Sequence, residues 1–248
     1  EARPGVPLCY LFWLAHRGLL ADDSAIVASI PDFVVANLCG RAPTTEVTHA
    51  YGHGALDVET LDWHRGAIER LGLARVRWPA IVPQGSVVGE LALGARRLPV
   101  FAPVGDYQCS QAGAFLDEGE LSVNVSTGSA VIQLARGCEF GDFQTRPLFD
   151  GRFLKTITHI PGGRALNALV RLLGEIAEAQ GRPLRAPWDY ILAQAERVGE
   201  TDLRVDPAFY FGAMGERGSV THVREENLTA GHLFRAAFAG MADNYARC

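Results

Sequence analysis

The sequence predicts an α/β protein, because apolar segments of strand length alternate along it with segments of helical periodicity. Residues 100–104 form a continuous apolar run of strand length, and residues 121–125 and 130–134 flank a Ser-Thr-Gly-Ser turn typical of a β-hairpin. The clearest helix follows Gly163, where apolar side chains recur three and four positions apart. The side chains of this stripe are Leu166, Leu169, Val170, Leu173, Ile176 and Ala177.

The remaining elements follow from periodicity and from helix-boundary residues. The second predicted helix starts at Pro31 and stops at Gly40, since proline suits a first turn and glycine suits the residue after a last turn. Residues 44–57 predict a loop because they are polar and punctuated by glycine. Helices are also predicted over residues 8–16, 59–71, 107–116, 189–198 and 229–248, and a strand over residues 152–159.

Composition excludes several classes of partner. The 248 residues are 48% hydrophobic and carry a net charge of -5 without a basic stripe, which argues against nucleic acid. No apolar run approaches the ~18 residues that span a bilayer, which argues against a membrane segment. Five dispersed cysteines without a C-x-x-C pair predict reduced thiols and a cytoplasmic location.

The pair Gly105-Asp106 directly follows the predicted strand over residues 100–104. A carboxylate in this position can meet a substrate hydroxyl, orient it and accept its proton. Aspartate is also among the best N-cap residues, so an N-cap for the helix over residues 107–116 is the alternative.

Two glycine turns in the second half of the chain could approach an anion. Ser126-Thr127-Gly128-Ser129 could bring backbone N–H groups to a phosphate, and Gly162-Gly163 opens a helix. An ordinary hairpin turn and ordinary helix initiation are the alternatives. The sequence contains neither a P-loop nor a Rossmann fingerprint.

Three histidines, His49, His53 and His64, lie close together in sequence. Their spacing differs from that of a zinc site, and no cysteine lies nearby. The sequence therefore predicts loop and surface histidines.

Taken in order, these motifs resemble the FGGY family of carbohydrate kinases over residues 11–245. Residues 30–40, IPDFVVANLCG, are similar to its D-[YF]-x-x-x-x-L-[TC]-G helix, and Gly105-Asp106 matches its Gly-Asp pair. Ser126-Thr127-Gly128 resembles its phosphate turn. Residues 228–240, LTAGHLFRAAFAG, resemble its C-terminal signature.

The resemblance implies two actin-like (ribonuclease H-like) domains, each with a mixed sheet flanked by helices and both incomplete in this chain. A hairpin starts after Gly119, so the predicted domains are residues 1–118 on the substrate side and 119–248 on the nucleotide side. The implied reaction transfers a phosphoryl group from ATP, with Mg2+, to a sugar or polyol. Asp106 is the implied catalytic base and, with Tyr107, binds substrate. The implied ATP-binding residues are Ser126, Thr127, Gly128, Gly162 and Gly163.

Within the family, the runs PDFVVANLCG and GDYQCS are most similar to the subgroup whose acceptor is sedoheptulose. A kinase for xylulose, ribulose or glycerol is the alternative. So is an inactive sugar- or nucleotide-binding relative, since His49 replaces a usual Asn and Ala239 a usual Glu. The sequence does not decide whether the protein forms a homodimer. The family's Asp-x-Gly-Thr hairpin and its adenine-side segment are expected outside this chain, so residues 1–248 alone are expected to be inactive.

Overall fold

The computed structural model describes residues 5–20 and 25–248 of the chain. Contacts divide the chain into two units, one of Glu1–Glu120 with Gln133–Lys155 and one of Leu121–Ile132 with Thr156–Cys248. The predicted mixture of helices and strands is confirmed in both units. No helix among the described residues is long and apolar enough to cross a membrane.

The described residues of the first unit form five α-helices. The predicted helix between Ser29 and Gly40 is confirmed: the Ser29 hydroxyl accepts the Asp32 N–H at its start, and Gly40 adopts a φ of 61° at its end. The helices are α1 (Pro7–His16), α2 (Ile30–Cys39), α3 (Val47–Ala50), α4 (Arg65–Arg70) and α5 (Asp106–Gly113).

The strands of the first unit form short pairs. Strand β1 (Thr44–Glu46) pairs in parallel with β4 (Ala80–Val82), and β2 (Leu56–Asp57) pairs antiparallel with β3 (Asp62–Trp63). Strands β5 (Val87–Leu93) and β6 (Arg96–Phe101) form an antiparallel hairpin. Strand β9 (Gln144–Pro147) neighbours β10 (Phe153–Pro161), whose first residues belong to this unit.

Three predictions about the first unit are wrong. The predicted strand over residues 100–104 is not formed as such, because β6 ends at Phe101 and residues 102–104 have no regular structure. Residues 44–57 are not a loop, because they hold β1, α3 and β2, and the predicted helix over 59–71 shrinks to α4. Trp63 explains the third difference: it is buried in β3, and its indole N–H donates to the Pro79 carbonyl at 2.7 Å. This contact holds residues 62–63 in a strand that helical periodicity alone does not indicate.

The second unit combines a sheet with three helices. Strands β7 (Leu121–Asn124), β8 (Gly128–Ala135) and β10 are adjacent in that order, and β11 (Arg204–Asp206) pairs antiparallel with β12 (Ser219–Thr221). The predicted hairpin and the predicted helices are confirmed. The helices are α6 (Gly163–Ala179), α7 (Pro187–Arg197) and α8 (Ala230–Ala246).

Each unit has its own apolar core. The core of the first unit packs Leu8, Trp63 and Leu73 among smaller side chains, and that of the second packs Phe234 and Leu203 against α6, α7 and α8. The apolar stripe of α6 is buried only in its first half. Leu166 and Leu169 lie in the core, whereas Leu173 and Ile176 are 43% and 74% exposed.

Candidate active site

The first unit places Asp106 at the first residue of α5. Gly105 is the N-cap residue, so the alternative that Asp106 caps this helix is wrong. The Asp106 side chain is exposed, and its Oδ1 accepts the N–H of Tyr107 at 2.7 Å. A carboxylate in the first turn also lies in the favourable field of the helix N-terminus. The second carboxylate oxygen remains available to a ligand.

A polar turn fixes the backbone just before Asp106. The hydroxyl of Thr48, in α3, accepts the N–H of Gly105 at 3.0 Å. Thr48 is itself held by Glu46, whose Oε2 accepts both the backbone N–H of Thr48 at 2.8 Å and its hydroxyl at 2.5 Å. Both Glu46 and Thr48 are buried. Because buried hydrogen bonds are costly to break, this arrangement defines where α5 begins.

A second connection joins α5 to β9. The side-chain amide of Gln108 donates to the carbonyl of Pro147 at 3.1 Å, and Gln108 is buried. Gly105 suits this packing, since a Cβ there would lie 2.2 Å from Gln108 Oε1 and 3.3 Å from the Thr48 carbonyl. The start of α5 is thus joined to α3 through Gly105 and to β9 through Gln108.

Two of the predicted surface histidines are instead packed around a buried carboxylate. Nδ1 of His49 and Nε2 of His53 each lie 3.7 Å from an oxygen of Asp32, and His53 is 2% exposed. His64, by contrast, is exposed and accepts the Ala67 N–H at the start of α4. The sequence prediction is therefore wrong for His49 and His53. Residues 44–57 form β1, α3 and β2 instead of a loop, and this places both histidines beside Asp32 of α2.

The environment of Asp32 favours its ionised form. Burial disfavours the charge, but the contacts with His53 and Ser29, together with the charge of His49, outweigh burial and hold the pKa of Asp32 below its usual value. The hydroxyl of Ser29 donates to Asp32 Oδ2 at 2.9 Å. Asp32 therefore acts as the anionic centre of this cluster.

An arginine that sequence reasoning missed lies against Tyr107. The guanidinium carbon of Arg146, in β9, is 4.5 Å from the ring centroid of Tyr107 and 5.7 Å from that of Tyr51. Both distances allow cation–π attraction. No motif marks Arg146 in the sequence; the only signal is its position in a short strand before a proline.

The second unit brings the two predicted glycine turns together. The carbonyl of Ser126 accepts the N–H of Gly163 at 2.8 Å, and that of Thr127 accepts the N–H of Arg164 at 3.0 Å. Gly162 is required for this approach, because a Cβ there would lie 2.4 Å from the Ser126 carbonyl oxygen. The first N–H groups of α6 are thus bonded to the hairpin turn.

The turn itself presents groups that fit an anion. Ser126, Thr127 and Gly128 are exposed, whereas Ser129 is buried and its hydroxyl lies 2.9 Å from that of Tyr245. Within the described part of the chain, neither the amide N–H nor the hydroxyl of Thr127 has a hydrogen-bond partner. These two donors and the side-chain-free Gly128 fit a phosphate.

The described residues contain no group of three or more His, Cys, Asp or Glu side chains that could hold a metal ion. No residue of this chain is therefore assigned as a metal ligand.

Comparison with known proteins gives a consistent class. The chain is 26% identical to sedoheptulokinase from Mus musculus, over 94% of this chain and 53% of that protein. It is 35% identical to glycerol kinase from Chloroflexus aggregans, over 53% of this chain and 30% of that protein. The crystal structure of ligand-bound xylulose kinase from Lactobacillus acidophilus matches with a TM-score of 0.76 and 18% identity, over 98% of this chain and 51% of that one. No family model matches the chain.

The relatives and the solved structure to which this chain is similar are carbohydrate kinases, and the predicted actin-like (ribonuclease H-like) fold class is confirmed. More narrowly, the predicted resemblance to the FGGY family of carbohydrate kinases is supported by the sedoheptulokinases, which are 25–26% identical to this chain over 94% of its length. The two sedoheptulokinases match nearly the whole of this chain. The chain spans about half of their length.

Proposed function

We propose that the protein to which this chain belongs is an ATP-dependent kinase that phosphorylates a hydroxyl of sedoheptulose, giving sedoheptulose 7-phosphate. The observation that carries the proposal is the placement of Asp106. Its carboxylate is exposed at the first residue of α5, and the residue before it is fixed by Thr48. The Gly-Asp pair is thus a rigid backbone element that presents one carboxylate.

In the proposed mechanism Asp106 is the catalytic base. Its Oδ1 is held by the Tyr107 N–H, which leaves Oδ2 to accept a hydrogen bond from the acceptor hydroxyl. As the hydroxyl oxygen bonds to the γ-phosphorus of ATP, the bond from that phosphorus to the β–γ bridging oxygen breaks, and the hydroxyl proton passes to Asp106. Because the transition state is loose, the proton leaves the hydroxyl late in the reaction, when a carboxylate can accept it.

We further propose that residues 119–248 form the nucleotide side and residues 1–118 the substrate side, apart from residues 133–155, which group with the first unit. Thr127 and Gly128 would donate to phosphate oxygens, while Gly162 and Gly163 allow α6 to approach the turn that carries them. Ser126 stabilises the turn, since its hydroxyl donates to the Gly128 carbonyl at 2.8 Å. Bound together with ATP, Mg2+ would supply neutralisation of the phosphate charge, and no described residue is assigned to hold it.

The choice of acceptor rests on the extent of similarity. The sedoheptulokinases match over 94% of this chain, whereas the glycerol kinase from Chloroflexus aggregans matches over 53%. Ketoses and polyols of other lengths remain the competing acceptors, because identities near 26% leave room for a changed sugar contact.

The test is an ADP-release assay of the intact protein over sedoheptulose, xylulose, ribulose, gluconate and glycerol. We expect sedoheptulose to give the highest kcat/KM. Asp106→Asn should abolish turnover without a change in thermal unfolding. Asp117→Asn is a matched control, because Asp117 is also exposed and accepts the N–H of the next residue, at 2.7 Å. Unchanged turnover in Asp106→Asn would exclude Asp106 as the base.

The same assay, combined with thermal unfolding, distinguishes the kinase from an inactive protein that only binds sugar. The replacement of a usual Asn by His49 favours this alternative. If sedoheptulose raises the melting temperature of the intact protein but no acceptor releases ADP, the protein binds sugar without phosphorylating it. If no acceptor raises the melting temperature and none leads to ADP release, both functions are overturned.

A further inference from the structure

Arg146 differs in its partners from three other arginines of the first unit. Arg97, Arg136 and Arg152 each lie within 4 Å of a carboxylate. Arg146 has no carboxylate at that distance within the described part of the chain. Its guanidinium is held instead by uncharged groups, although arginine pairs readily with carboxylates.

The hydrogen-bonding capacity of this guanidinium is largely unused. Nη2 donates to Oε1 of Gln144 at 2.7 Å, whereas Nε is buried and has no partner among the described residues. A guanidinium carries five N–H donors, and a buried donor without an acceptor costs free energy. The remaining donors are therefore suited to oxygen atoms of a bound molecule.

The position of Arg146 is fixed relative to Asp106. Its guanidinium lies over the ring of Tyr107, the residue that follows Asp106, at 4.5 Å. The hydrogen bond from Gln108 to the carbonyl of Pro147 joins the strand of Arg146 to the first turn of α5. Tyr51 flanks the guanidinium as well, at 5.7 Å. Two aromatic rings and a buried hydrogen bond thus limit its movement.

We infer that Arg146 is a substrate-binding residue, donating hydrogen bonds to neighbouring oxygen atoms of a polyhydroxylated sugar whose reacting hydroxyl is at Asp106. A planar fork of donors matches two oxygens on adjacent carbons, an arrangement that a ketose repeats along its chain. The rings of the flanking Tyr51 and Tyr107 are half-buried, and their uncovered parts would provide apolar surface for the C–H groups of the sugar. The inference rests on the proposed kinase function and deepens it on the acceptor side.

The direct test measures sugar binding to the intact protein without nucleotide, by isothermal titration with sedoheptulose. Arg146→Lys keeps the charge but loses the planar fork, and we expect the Kd to rise by about tenfold or more. In the ADP-release assay the KM for sugar should rise by a similar factor, while the KM for ATP stays unchanged. Arg136→Lys is the matched control, because Arg136 is an exposed arginine paired with Glu118.

A second measurement needs no variant. In the wild-type protein, an arginine-specific dicarbonyl reagent should modify Arg146 more slowly when sedoheptulose is present, as followed by mass spectrometry of the peptide that contains it. ATP alone should give no such protection.

Three outcomes would overturn the inference. An unchanged Kd for sugar in Arg146→Lys, with a lower free energy of unfolding, would make Arg146 a structural residue. A raised KM for ATP alone would make it a nucleotide contact. Modification unaffected by sugar would exclude contact directly. If the wild-type protein neither binds nor phosphorylates any acceptor, the proposed function fails, and that result is distinct from all three.

Discussion

The hydroxyl of Thr48 and the backbone N–H of Gly105 are joined by a 3.0 Å hydrogen bond across 57 positions of the chain. Thr48 lies in a single helical turn that sequence patterns do not indicate, whereas Gly105 precedes the proposed base. The bond therefore connects the least predictable part of the first unit to its most recognisable motif. The buried Glu46 supports this hydrogen bond, because its carboxylate orients the Thr48 hydroxyl.

Removing this hydroxyl should lower both stability and turnover. In Thr48→Val the Gly105 N–H and the buried Glu46 carboxylate each lose a partner, so we expect the free energy of unfolding to fall by about 1–3 kcal/mol. Thr48→Ser retains the hydroxyl and should lose less than about 1 kcal/mol. Urea unfolding measures both variants. Equal stability of the valine and serine variants would contradict the role given to this bond.

A methyl group on Gly162 should disturb the turn that carries Thr127. Its Cβ would lie 2.4 Å from the Ser126 carbonyl oxygen and 2.6 Å from Ser129 Oγ, so the backbone must shift. We expect Gly162→Ala to cost about 1–3 kcal/mol and to weaken ADP binding.

The control for Gly162 is Gly174, in the same helix. A Cβ at Gly174 meets only ordinary contacts, the nearest being Leu184 Cδ1 at 3.5 Å, and alanine favours a helix interior over glycine by about 1 kcal/mol. Gly174→Ala should therefore keep or raise the melting temperature and leave ADP affinity unchanged. A Gly162→Ala protein that behaves in the same way would show that the turn tolerates a side chain.

The predictable parts of the fold are those whose local pattern agrees with their packing. The stripe that begins at Leu166 predicts α6, and residues 121–134 predict a hairpin, because turn chemistry and apolar runs coincide there. The helix predicted over 59–71 fails for the opposite reason: Trp63 is held by a distant carbonyl, and a tertiary contact overrides local periodicity.

The candidate site divides along similar lines. Asp106 and Thr127 can be picked out because each stands in a turn with a recognisable composition. Arg146 and His53 cannot, since their importance comes from residues brought near them by folding: two tyrosine rings around Arg146 and a buried carboxylate beside His53. A sequence pattern carries no information about such neighbours unless it also gives the fold.

Acid should weaken the first unit through Asp32. The pKa of Asp32 is lower in the folded chain than its ordinary value, so its stabilising effect is complete above the unfolded pKa of about 3.9 and is lost as the pH falls through the folded pKa. Asp32→Asn should therefore be less stable than wild type at neutral pH, and the difference should shrink below about pH 4.

Free energies of unfolding measured from pH 7 to pH 2 test this dependence. Glu90→Gln serves as a control, because Glu90 is an exposed carboxylate in β5. If the free energies of unfolding of wild type and Asp32→Asn differ by the same amount from pH 7 to pH 2, Asp32 contributes nothing to the loss of stability in acid.

Tyr245 should support the proposed phosphate-binding turn, residues 126–129, from the end of α8. Its hydroxyl lies 2.9 Å from that of Ser129, which is buried and also accepts the N–H of Ser126 at 3.4 Å. Tyr245→Phe leaves the Ser129 hydroxyl with one partner fewer, so we expect a loss of about 0.5–1.5 kcal/mol in stability. Because the position of Ser126 is then less restrained, ADP affinity should fall by a few-fold, measured by isothermal titration of the intact protein.

Tyr190→Phe is the control, because it removes an exposed hydroxyl in α7 and should change neither stability nor ADP affinity. If Tyr245→Phe loses stability but binds ADP as wild type does, α8 supports the fold and not the turn.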